Sequence, residues 1–204
     1  MTDKTHTPEE NLAFLRQLAH AGKEAPLMAG PYLIATVWFV AASMLQWPPL
    51  RDLLALSLMQ ASLTWFIAAA GFALHLFAVI RFDRHKVENS ANRVVNTSWT
   101  GVGLGIFAFW VGVAAMAWQR GDAFMMNTIG LQVPSVFGIA WMIAGAATGQ
   151  GWMKANAFFA LLTVPVLGLL AGTGHEYLAY AIALVLLGVV PGVRLSRQAQ
   201  RGMA

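Results

Sequence analysis

Hydrophobic residues in this chain neither alternate nor fall on one helical stripe; they come in long runs separated by short polar breaks. Runs over residues 29–47, 62–80, 100–118, 131–148, 155–171 and 177–193 each approach the roughly 20 residues that a helix needs to cross a hydrocarbon core. The pattern predicts an all-α fold, a polytopic membrane bundle of six transmembrane helices over residues 29–193. Leu53-Leu54-Ala55-Leu56 has the same character, so the second helix could extend back to Pro49 along the outer interface. Gly172-Thr173-Gly174 leaves only a tight turn between the last two runs, which makes them antiparallel neighbours.

Residues 1–28 read differently. Thr7 can cap a helix, Pro8 suits its first position, and Glu10 stands where a capping box needs a carboxylate. Leu12, Phe14, Leu15, Leu18 and Ala19 then recur at near-helical spacing, with Arg16, Gln17 and His20 on the other side. This predicts an amphipathic helix over about 8–21. It is too short and polar to span, and suited to lie on the membrane surface or dock on a partner or the bundle. Residues 194–204 read as a short basic tail.

Composition supports lipid as part of the solvent. Apolar residues make up 58% of the 204 and charged residues 11%, against about 45–50% and 25% in soluble domains. The net charge of +4 could suggest nucleic acid, but the placement of the charges gives it another meaning. With both termini in the cytoplasm, Lys4, Arg16, Lys23, Arg81, Arg84, Lys86, Arg93, Lys154, Arg194, Arg197 and Arg201 fall inside. Only Arg51 and Arg120 fall outside, a strong positive-inside bias that six crossings satisfy. A multi-pass protein of the cell inner membrane is expected, with the first run acting as an uncleaved signal. Arg81, Arg84 and Lys86 form the densest basic patch and suit anionic lipids at the cytoplasmic interface. Nucleic acid is not an expected partner; a membrane or cytoplasmic protein is.

Candidate chemistry is sparse. Cysteine is absent, which excludes thiolate chemistry and cysteine-ligated metals. No run carries Asp, Glu, Lys or Arg away from its ends, so carboxylate-driven ion coupling has no residue to run it. His75 is the exception, roughly 9 Å deep from the inner end of its run. Its expected role is a neutral imidazole bonded to a neighbouring helix; a cofactor ligand, a proton relay or a pocket wall are the sharper alternatives. His175 lies at the opposite interface, so the two cannot clasp one haem within a subunit. His175-Glu176-Tyr177 with Tyr180 makes an outer polar cluster that is at most half a metal site.

Trp38, Trp110 and Trp141 fall mid-run. Facing inward, they and His75 would wall a pocket for a small apolar or cationic ligand. Glycines four apart recur, Gly188/Gly192 among them, and permit close helix approach, with the fifth and sixth runs the expected pair. Pro165 is expected to kink the fifth. Gly101-Val102-Gly103-Leu104-Gly105 follows no strand and is no dinucleotide loop. Neither catalytic residues nor a metal or cofactor is assigned. The expectation is a non-enzymatic accessory, sensor or regulatory membrane protein. The alternative is a channel or carrier for a small neutral solute, and the third reading an intramembrane haem protein or enzyme centred on His75.

Overall fold

A computed structural model describes residues 29–82, 90–121 and 129–202. The amphipathic helix expected at about 8–21 lies outside these residues, as do Arg84 and Lys86. The fold is all-helical, with no strand among the described residues. In chain order the helices are α1 Gly30–Ile34, α2 Val37–Gln46, α3 Pro48–Leu53, α4 Leu58–Phe82, α5 Ser90–Arg120, α6 Ile129–Thr148, α7 Gly151–Leu170 and α8 His175–Leu184. A π segment, Val185–Val189, joins α8 to α9, Val190–Gly202. Among the described residues, five stretches are long and apolar enough to cross a membrane: Met59–Arg81, Asn92–Arg120, Gly130–Thr148, Gly151–Leu170 and His175–Arg201. The first apolar run, Gly30–Gln46, is shorter, about 25 Å at helical rise, and it is broken.

The break has a local cause. The Thr36 hydroxyl donates to the Leu33 carbonyl at 2.7 Å, and the Thr36 N–H turns to the same oxygen at 3.1 Å. That i→i+3 pattern tightens the turn over Ala35 and Thr36 before α2 resumes at Val37. Trp47 ends α2 in an extended conformation, as the residue before a proline must, and Pro48 opens α3.

The second helix does not reach back to Pro49. Leu50 and its neighbours form α3, Ala55 follows with φ of 51°, and α4 starts afresh at Leu58. A capping box sets that start: Gln60 N–H donates to Ser57 Oγ at 3.2 Å, and Ser57 N–H donates to Gln60 Oε1 at 2.9 Å. The last helix is longer than its apolar run. It continues through Gly202, with Leu195 and Ala199 buried and Arg194, Arg197 and Arg201 facing outward, so the basic tail is the end of α9.

Packing is anchored by α6 and the last helix, with 44% and 50% of their apolar windows buried, whereas α4 and α5 reach only 6% and 11%. Helix α4 rests on α1 and α2, and α5 rests on α6. Trp141, Met153, Leu187 and Val95 are among the side chains buried completely.

The close approach at Gly188 and Gly192 involves α1 and α2, not the fifth run. A Cβ on Gly188 would come 2.5 Å from Thr36 Oγ1, and one on Gly192 would come 2.9 Å from both Gly30 O and Ile34 N. The sixth run therefore grips the first, because only glycine lets these backbones meet. The fifth run, with Pro165 inside α7, is an unbroken helix that packs mainly on α6. A change of hydrogen-bond register, the π segment, comes just before Pro191. That proline has no N–H for the Leu187 carbonyl four residues back, and Trp141 Nε1 donates to this oxygen at 3.0 Å.

Candidate functional site

The groove holding His75 is built by three helices. On α4, Gly71, Leu74, His75, Ala78 and Val79 fall on one face through their three- and four-residue spacing. Pro31 on α1 and Trp38 on α2 supply the other wall, on either side of the break at residues 35 and 36. The groove has a volume of about 640 Å3 and opens on the flank of the bundle. That is within the usual range of ligand sites.

Gly71 is what lets the walls close. A Cβ there would lie 2.5 Å from Trp38 Cδ2 and 2.6 Å from Trp38 Cε3, so the indole rests directly on the α4 backbone. Trp38 is still 39% exposed, which leaves much of the ring uncovered. Gly71→Ala is therefore expected to push the Trp38 ring outward. Fluorescence difference spectra against a Trp38→Phe background check this; an unchanged Trp38 emission would count against the packing described.

Among the described residues, no partner stands at His75 for the interhelical hydrogen bond expected of it. Its imidazole is half-buried and has no hydrogen-bond partner among the described residues. It lies seven residues before the end of α4 at Phe82, about 10 Å along the axis. In a helix that spans a membrane that depth falls within the hydrocarbon, where a polar group without a partner is costly.

The three mid-run tryptophans do not gather around His75. Trp38 does line its groove; Trp141 is buried at the centre of the bundle and spends its N–H on Leu187; Trp110 stands 39% exposed on α5. Arg81 lies in the last turn of α4, at the cytoplasmic end of the orientation expected from charge. At the opposite end, Glu176 Oε1 accepts from the Gly172 N–H at 3.3 Å, tying the α7–α8 turn. Among the described residues, no three His, Asp or Glu side chains converge on a metal position.

An aromatic stack built around Trp141 was not evident from spacing. Trp99 meets Trp141 edge-on at 5.3 Å, Trp141 meets Trp152 at 5.5 Å, and the Arg194 guanidinium lies 4.4 Å over the Trp152 ring. These contacts pin α5, α6, α7 and α9 together. Gly71 was also overlooked, although a glycine four residues before the lone intramembrane histidine was visible in the sequence. No protein-family model matches this chain, and neither a curated protein nor a solved structure matches it.

Proposed function

We propose that this chain is a non-enzymatic accessory, sensor or regulatory protein of the cell inner membrane, with six crossings and both termini in the cytoplasm. The observation that carries the reading is a filled interior. Leu33, Phe137, Trp141, Tyr180, Leu184 and Leu187 belong to one buried cluster. Two polar side chains within the bundle are each bonded to a backbone carbonyl of another helix: Ser43 Oγ donates to the Tyr177 carbonyl at 2.7 Å, and Gln132 Nε2 to the Gly105 carbonyl at 3.1 Å. A solute path needs a connected polar lining, and these groups are engaged one at a time. Work would then be done at the outer faces, where α4 and α5 have large uncovered surfaces. Anionic lipid at Arg81, Arg84 and Lys86 and a protein partner on the membrane would share those faces.

The sixth crossing rests on α1 and α2 together, whose 17 residues from Gly30 to Gln46 meet the lower bound of roughly 17–25 for a span. The positive-inside bias favours it. Because the chain has no cysteine, single cysteines can report sidedness. Asp52→Cys and Thr173→Cys are expected to react with an impermeant maleimide from outside. Thr5→Cys and Gln150→Cys should react only after permeabilisation. Outside labelling at Thr5→Cys would reduce the count to five.

The accessory role is tested by gentle solubilisation from native membranes after amine crosslinking. A stoichiometric second protein is the expected result; repeated recovery of this chain by itself would remove the reading.

A further inference from the structure

We propose that the groove between α4 and α1–α2 binds a membrane-soluble quinone, a flat neutral ring with carbonyl oxygens and an apolar tail. The inference goes beyond the accessory reading and does not depend on it.

Four features select this ligand class. The first is the His75 imidazole, placed at hydrocarbon depth without a hydrogen-bond partner among the described residues. A neutral imidazole has one N–H donor and one acceptor nitrogen. It can donate to a quinone carbonyl and accept from the corresponding quinol hydroxyl, so both forms are held. The second is the partly uncovered indole of Trp38, fixed against Gly71, which offers a flat surface for an aromatic ring.

The third is charge. Pro31, Trp38, Gly71, Leu74, Ala78 and Val79 complete the lining, and no cation or carboxylate is among them. A phosphate headgroup would find no counter-charge there, and at about 10 Å from the helix end it would be drawn out of its own layer. A carbonyl on an apolar ring meets neither obstacle. The fourth is access: the groove opens sideways, so a ligand dissolved in the bilayer enters without crossing water, and its tail stays in lipid.

The test uses the full chain in phosphatidylcholine nanodiscs, titrated with tritiated decylubiquinone and read by scintillation proximity. Saturable one-to-one binding is expected. His75→Leu should weaken it at least tenfold, while His75→Gln, which keeps a donor and an acceptor, should retain most of it. Gly71→Ile should abolish it by filling the groove with its own side chain and pushing the Trp38 ring outward. Because His75 faces the open groove, His75→Leu removes no core packing, and equal thermal midpoints for the three His75 forms will confirm that the comparison is between folded proteins. The proposal is overturned by binding that never saturates, by binding that is equal in wild type and His75→Leu, and by full displacement by decylbenzene, which has the tail and ring but no carbonyl. Displacement by equimolar phosphatidylglycerol also overturns it, in favour of a phospholipid site.

Discussion

Gly192→Leu is expected to detach α1 from the last helix and to lower the thermal midpoint of the purified protein by about 5–10 °C. A Cβ at this position meets the Gly30 carbonyl oxygen and the Ile34 nitrogen, each at 2.9 Å. Both are backbone atoms, so no rotamer change relieves the clash, and α1 must move as a body. Overpacking of this kind costs about 1–3 kcal/mol. It also removes the close backbone approach that stands in for hydrophobic driving force between membrane helices. Gly103→Leu is the control. A Cβ on Gly103 meets nothing within 4 Å, and the midpoint should stay within error of wild type. Size-exclusion survival after a heating series gives both values. Equal midpoints for the two variants would show that Gly192 does not carry the contact.

Trp141 should give the second large effect, and it divides into two parts. Trp141→Ala empties a site at the centre of the bundle that is completely buried, at a cost of about 3–5 kcal/mol. Trp141→Phe keeps most of the volume but removes the N–H that reaches the Leu187 carbonyl at 3.0 Å. Pro191 has no N–H to restore that bond in α-helical register. Leaving the carbonyl unpaired is expected to cost about 1–2 kcal/mol. Unfolding of the three proteins in mixed micelles of rising SDS fraction will rank them wild type, Trp141→Phe, Trp141→Ala. Coincident curves for wild type and Trp141→Phe would show that the π segment satisfies the Leu187 oxygen by itself.

The His75 groove shows how far spacing can be read. Trp38 and Trp110 are equally exposed at 39%, and both lie in the middle of apolar runs. Only Trp38 lines the groove that holds His75, because Gly71 sits opposite it on α4. A run that is apolar all round has no periodic signal to mark its inner face, so nothing local separates the two tryptophans. The same limit explains why Gly188 and Gly192 were expected to face the neighbouring fifth run and instead face the first. A glycine pair permits close approach without naming the partner.

Features that depend on a few adjacent residues were legible. All-helical architecture and the long apolar helices follow from run length, because a backbone in hydrocarbon must satisfy its own hydrogen bonds. The turn between the last two runs follows from Gly172 and Gly174, both found at positive φ. The capping box of Ser57 and Gln60 could have been read the same way, and it places the start of α4 correctly where hydropathy did not. What only tertiary structure decided was partnership: the grip of the last helix on α1, the Trp141 bond to Leu187, and the packing of Trp38 on Gly71 that puts it on one groove with His75. Lipid is as apolar as the side chains that face it, so hydropathy cannot tell a helix's neighbour from its solvent. Shape complementarity and single hydrogen bonds make that choice, and both arise between residues far apart in the chain.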